Sequence, residues 1–320
     1  MDIDTAIVTT DTSGVSVAQA IKAFLSNPNP NTARTYRGAL DHFVSYVGVQ
    51  TIGEAAARLL TLPHGQANLL AMQYREHLLG QPELSAASVK LRIDSLRALV
   101  KLARRLGVVD WSLDVENVRP TPMRNTRGPG SVAVAKMLAR VSGNTEADAR
   151  ARALILLLHD CGLRRGEVAG LSYPDDIDFE ASKASITGKG RHDREWISLP
   201  PQTVASIQAW LAWRGVQAGP LFIALDRQHR GERLSATSIY TIVCAIGDRV
   251  GVRASPHGLR HTSITTALEA TGGDVRKVRH FSRHAKVETV LTYDDARRDL
   301  GGEIGRLVEQ ARNISETKGA

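Results

Sequence analysis

What this sequence lacks narrows its class before any motif is read. It has only two cysteines, Cys161 and Cys244, both inside apolar patterns. Two such thiols make no disulfide framework and read as packing groups of a reducing compartment. The longest apolar run, Ala153–Leu158, is six residues, against the ~20 that span a bilayer. The opening MDIDTAIVTTDTSG carries acids where a secretion signal carries bases, and it lacks a long apolar segment. There is no internal repeat, low-complexity tract or basic tail. These absences predict a cytoplasmic protein with no membrane partner.

What is present is ordinary globular chemistry. The chain is 42% hydrophobic and 23% charged, enough for real cores. At ~150 residues per domain, its 320 residues make about two. A net charge of +8 and a pI near 9.7 favour polyanionic partners. The excess is spread: residues 1–130 hold 14 bases and 11 acids, and residues 131–320 hold 27 and 22. Both parts are therefore expected to grip a charged backbone, although a merely solvated cationic surface would look the same on charge alone.

Apolar periodicity organises the chain. Residues 1–14 read as unstructured and Val15–Leu25 as a short helix. Asn31 is a plausible cap for a helix to about Val47, and another spans about Gly65–Leu79. Ser85 opens a long amphipathic helix in which Val89, Ile93, Leu96, Val100 and Ala103 recur at helical spacing. Lys90, Arg92, Arg97, Lys101, Arg104 and Arg105 lie beside that stripe. They are candidate DNA contacts on a bundle of about four helices, residues 15–110. The tract RPTPMRNTRGPG ends a linker over 111–130, where Arg124 and Arg127 are further candidate contacts. Beyond it the reading is helices with one small β-hairpin, residues 183–187 and 194–199. A last helix is expected at 299–312.

Four segments carry chemistry: Gly162-Leu163-Arg164-Arg165-Gly166-Glu167; Thr187-Gly188-Lys189-Gly190; His257-Gly258-Leu259-Arg260-His261; and Arg283-His284 with Tyr293 nine residues after His284. Together they supply guanidiniums, an ammonium, imidazoles and a phenol, a set suited to a phosphodiester. Arginine forks match phosphate oxygens, lysine or histidine can protonate a leaving alkoxide, and a tyrosine oxygen can be a nucleophile. The pairs His257/His261 and His280/His284 have zinc-binding spacing, but the metalloprotease Glu is missing and Arg260 and Arg283 sit inside the pairs. No metal is expected, and His261 and His280 suit satisfied core roles better. The glycine–lysine–glycine turn at 188–190 is not a Walker loop, because Lys183 stands where its first glycine belongs and no Ser or Thr follows Lys189.

The four segments resemble, in order, the signature boxes of the tyrosine recombinases, or phage-type integrases: G-L-R-x-x-E, a hairpin lysine, H-x-L-R-H, and a histidine followed nine residues on by tyrosine. The likeness is strong over about 131–312. Before Gly130 it extends only to size, helix content and position of the family's core-binding, SAM-like bundle. It implies a mainly α, two-domain, Xer-like fold whose C-terminal α+β domain is catalytic and whose halves close as a clamp on duplex DNA. It implies a site-specific recombinase that acts through a 3′-phosphotyrosyl intermediate and a Holliday junction, as a homotetramer on a double-stranded core site, without cofactor or metal. Arg164 and Arg260 would clamp the scissile phosphate, Lys189 protonate the leaving 5′-oxygen, His257 assist proton transfer or orient the phosphate, His284 donate to a non-bridging oxygen, and Tyr293 attack. Glu167 would brace the site. Arg164 is preferred to Arg165 because it follows Gly-Leu directly and leads Glu167 by one turn.

One departure is Ser282-Arg283 before His284, where the family often has Leu-Gly; Arg283 would add a phosphate contact or lie at the surface. About 14 residues precede the first helix, which favours a two-domain mobile-element recombinase or resolvase over one with an arm-binding domain. Leu300, Ile304, Leu307, Val308 and Ala311 share a helical face that would dock on a neighbouring protomer or on its own domain. A type IB topoisomerase and a catalytically silent DNA-binding accessory protein are the competing readings.

Overall fold

The computed structural model describes residues 14–118, 128–141, 145–188, 194–294, 302 and 305–310. The chain divides into two compact units, Met1–Met123 and Arg124–Ala320. Among the described residues the first holds five helices: α1 (Val17–Leu25), α2 (Pro30–Val47), α3 (Ile52–Thr61), α4 (His64–Leu79) and α5 (Ala86–Arg105). Each start follows from its cap. Ser16 and Gln19 exchange hydrogen bonds at α1, and Thr51 and Ser85 accept from the third amide of α3 and α5. At α2 the cap is Asn29, not the expected Asn31, because Pro30 at the first position is already set to a helical φ and has no amide to satisfy. The α3 helix was not anticipated from periodicity; its run of three alanines gives a weak apolar signal, yet Ala55 and Ala56 are fully buried.

Helix α5 supplies the floor of this unit. Its apolar face, from Val89 to Ala103, is sealed against Phe43, Leu59, Tyr74 and Leu78. Its bases have different fates. Lys101, Arg104 and Arg105 are exposed. Lys90 pairs with Asp94. Arg97, also a candidate contact, bonds Asp94 at 2.7 Å and reaches Asn117 and the Val115 carbonyl. It fastens the chain that follows α5, whose Leu113 and Val115 are buried. Arg92 lies close enough to His42 that its charge, after desolvation, holds that imidazole's pKa down. Arg124 and Arg127 lie outside the described residues.

The second unit contains α6 (Ser131–Arg140), α7 (Glu146–His159), α8 (Arg165–Gly170), α9 (Pro201–Arg214), α10 (Ala236–Arg249), α11 (Pro256–Ala270), α12 (Val275–Ser282) and α13 (Val287–Asp294). The C-terminal half of helix α7 is apolar all round and buried; Ala153 to Leu158 are all at or below 1% exposure. Strands β1 (Ser172–Tyr173) and β5 (Gly219–Pro220) pair antiparallel. Strands β2 (Ile177–Asp178), β3 (Lys183–Thr187) and β4 (Arg194–Ser198) form a second antiparallel sheet. The expected hairpin is β3–β4, in register from Lys183 opposite Ser198 to Thr187 opposite Arg194. Lys189 falls outside the described residues. Trp210 locks α9 to the core by donating its indole N–H to the Leu221 carbonyl at 2.7 Å. Of the expected last helix, residues 302 and 305–310 are described and helical, with Leu307 and Val308 57% and 64% exposed. No described helix is long and apolar enough to cross a membrane.

Candidate active site

The site is built where the chain leaves α7. The turn after the helix needs Gly162: its φ is +55°, and a β-carbon there would lie 3.2 Å from the Phe281 ring. Leu163 is buried, and Arg164 caps α8 in extended conformation. Glu167, one turn on, folds back. Its carboxylate accepts the Arg164 amide and the Arg164 Nη1, both at 2.8 Å. Burial alone would raise the Glu167 pKa, but the Arg164 amide and the charges of Arg283 and Arg164 hold it below the usual carboxylate range. Arg165 points elsewhere, over the exposed Tyr240 ring at 5.8 Å. The two adjacent arginines are thus separated by geometry, with Arg164 facing the cluster.

Helix α11 brings the second arginine. Ser255 caps it and Pro256 occupies its first position. Arg260 is 2% exposed. It donates to the carbonyls of Gly162 and Ser282 and through Nη2 to His284 Nε2 at 3.3 Å. Burial, with the charges of Arg164 and Arg283, lowers its pKa to about 10, which still leaves it cationic at neutral pH. His257, on the same helix, is exposed at its rim, with a pKa lowered by partial desolvation and by Arg260 and Arg164.

The same helix is fixed from outside by residues 128–130. The Gly128 and Gly130 amides donate to His261 Nδ1 at 3.3 Å and Thr262 Oγ1 at 3.1 Å. Any side chain at 128 would collide with the Gly258 carbonyl, 2.2 Å from a β-carbon there. His261 therefore has the expected buried structural role, at 4% exposure. His280 does not: it is exposed and, with Arg276 and Arg279, lines an open basic hollow that reaches His284. The sequence does show those bases, but on a short helix without a motif.

His284 follows α12. Since Arg260 can only donate, Nε2 of this ring is an acceptor and the proton sits on Nδ1, which bonds Ser282 Oγ at 2.9 Å. Burial first, then Arg260, Arg164 and Arg283, push the pKa down to about 4. Tyr293, on α13, lies between His261 and His284, with ring centroids 4.7 and 5.7 Å away. It is 7% exposed, among Ile264, Leu268, Val278 and Val290. Burial raises the phenol's pKa, and the charges of Arg260 and Arg164 oppose that rise. The structure thus gathers Arg164, Glu167, His257, Arg260, His284 and Tyr293. It also places Arg283 inside the cluster and not at the surface: its side chain is 8% exposed and bonds Glu167. Among the described residues no group of three or more His, Cys, Asp or Glu is placed to hold a metal.

The chain is similar to known proteins over most of its length. The phage integrase family matches residues 133–299. A tyrosine recombinase of Synechocystis sp. is 36% identical over 282 residues, covering 86% of this chain and 90% of the relative. One of Synechococcus elongatus is also 36% identical over 282 residues, covering 86% and 88%. Among solved structures, the XerH site-specific recombinase bound to palindromic difH substrate superposes with a TM-score of 0.64 at 18% identity, covering 92% of this chain and 85% of that one. The Tn1549 transposon integrase in complex with transposon right end DNA gives 0.62 at 17% identity, covering 92% and 100%.

Proposed function

The chain belongs to the phage integrase family and is a tyrosine-type site-specific DNA recombinase, and we propose that Tyr293 is its nucleophile. The Tyr293 oxygen attacks the scissile phosphorus, the bond to the 5′-oxygen breaks, and a 3′-phosphotyrosyl link and a free 5′-hydroxyl result. Attack of a partner strand's 5′-hydroxyl on that link reverses the step and yields a Holliday junction. Bond energy is conserved throughout, so no nucleotide cofactor is consumed.

The other groups divide the charge and the protons. Arg164 and Arg260 offset the negative charge gathered on the pentacoordinate phosphorus, each already held in place, Arg164 by Glu167 and Arg260 by two backbone carbonyls. Lys189 protonates the departing 5′-oxygen, and His257 at the rim orients the phosphate or relays the phenolic proton. His284 enters neutral, with its Nε2 facing Arg260. A phosphate anion bound to Arg260 replaces that contact and favours the imidazolium, which then donates to a non-bridging oxygen. The observation that carries this reading is the convergence of Arg260, His284 and Tyr293, from three separate helices or their ends, with the Tyr293 ring seated in a small buried apolar cluster.

The trial is covalent capture on a nicked suicide duplex. Wild-type chain is expected to accumulate a protein–DNA adduct, and Tyr293→Phe to bind the same duplex and form none. An adduct that survives in Tyr293→Phe refutes the assignment. We further propose that the chain binds duplex DNA at a specific core site, with Lys101, Arg104 and Arg105 among its phosphate contacts, and recombines as a homotetramer. The exposed Leu307 and Val308 support a helix that docks on a neighbouring copy.

A further inference from the structure

The structure assigns Arg283 a part in the reaction as a positioning residue, whose buried guanidinium couples the anchor of Arg164 to the anchor of Arg260. This rests on the recombinase reading above and extends it to a side chain outside the expected catalytic set.

The backbone is the first observation. Arg283 ends α12 in the left-handed region, at φ 56° and ψ 37°. Glycine takes that conformation without penalty, and a side chain does not. Among the described residues only Ser182 and Arg283 are non-glycine residues with positive φ. A long cation held there against its backbone preference is expected to return something through its contacts.

Those contacts are the second observation. Arg283 Nη2 lies 3.1 Å from Glu167 Oε2 and 3.3 Å from the Gly162 carbonyl, and Nη1 lies 3.2 Å from the Phe281 carbonyl. Glu167 is the carboxylate that holds Arg164. The Gly162 carbonyl is the acceptor that holds Arg260. Arg283 therefore touches both anchors and neither phosphate-facing arginine needs to move for it to do so. The third observation is charge. Three guanidiniums against the one Glu167 carboxylate leave two net positive charges around a neutral His284. Without Arg283, Glu167 would cancel one of the two arginines that face the phosphate. With it, that carboxylate is shared, and the field that meets the transition state is fixed before DNA arrives.

The experiment uses the full-length chain and a duplex it selects from a random-sequence pool, nicked so that cleavage is trapped. Single-turnover adduct formation, DNA affinity and the salt dependence of affinity are measured together. Arg283→Gly, which accepts the left-handed φ, is expected to slow adduct formation on the order of 10- to 100-fold. Affinity should stay within about twofold, and the slope of log Kd against log salt should not change. Arg283→Lys should recover part of the rate. In a Glu167→Gln background, Arg283→Gly should add little further loss, because the two act through one another. Should Arg283→Gly fail to melt cooperatively, Arg283→Lys in the two Glu167 backgrounds carries the same comparison. An unchanged rate overturns the inference, as does a loss additive with Glu167→Gln. A fall of about 0.9 in the salt slope would make Arg283 a phosphate contact instead. If the wild-type chain itself forms no adduct, the recombinase reading fails and the inference with it; a failure confined to Arg283 leaves the reading intact.

Discussion

Single residues in this site are set by their neighbours' charge, and His284 shows the consequence most plainly. Its folded pKa, pushed to about 4 by burial and three guanidiniums, is below the ordinary ~6.5 of an unfolded histidine. Between those values the unfolded chain takes up a proton that the folded chain refuses. Stability therefore falls as pH drops through that window and is recovered as pH rises above it. His257, lowered by desolvation, Arg260 and Arg164, acts in the same direction. Glu167, lowered in turn, loses its stabilising charge only at still lower pH. Thermal melts from pH 7.5 to 5 should show declining Tm, and His284→Asn should flatten that decline. The His284 ring signal in an NMR titration should move only near pH 4 in the free protein and at higher pH once DNA is bound. A midpoint near 6.5 without DNA would show that the arginines do not press on this ring as described. Motif order favoured Arg164 over Arg165, and the proposed role of Arg164 draws support from their different surroundings: one arginine faces a buried carboxylate, the other an exposed phenol ring.

At the scale of elements, what could be read from sequence was what periodicity and caps encode. The apolar stripe of α5 was visible as spacing, the C-terminal half of α7 as an unbroken apolar run, and the β3–β4 hairpin as two short strands around a polar turn. Helices α3 and α8 and the two-residue strands β1, β2 and β5 were not, because elements so short or so rich in alanine are held by what they touch rather than by pattern. The intramolecular partners of Arg97 and Arg283 were not legible for a related reason: an arginine's sequence neighbours do not reveal whether a distant carboxylate or carbonyl awaits it. The turn at Gly162 joins these levels. It closes α7, presents its carbonyl to Arg260 and Arg283, and leaves no room before Phe281. Gly162→Ala should therefore lose about 1–2 kcal/mol to the left-handed backbone alone, with more from the ring contact. It should also slow adduct formation by more than its change in Tm explains, since it moves the acceptor of both guanidiniums. Equal rates for the two proteins at a temperature where both are folded would refute that link.

For the whole molecule, the open question is how copies meet, and the exposed tail helix bears on it. Leu307 and Val308 stand exposed on a formed helix, a surface that a neighbouring copy would cover in the proposed tetramer. At residues 305–310 every side chain is exposed, so among the described residues these six are not packed into a core. The proposal that it docks on a neighbour then separates two activities. A chain ending at 298 should bind one core site within a few-fold of wild type, because its bundle and its arginine cluster are intact. It should form no complex that joins two duplexes, and hence give no recombinant product. Leu307→Asp with Val308→Asp should reproduce the loss without removing any backbone, since a carboxylate is costly to bury in an apolar socket. Native gel shifts with one and two labelled duplexes measure both steps. Normal recombination by either variant would mean that copies associate through another surface, and that the tail's apolar face serves a purpose outside assembly.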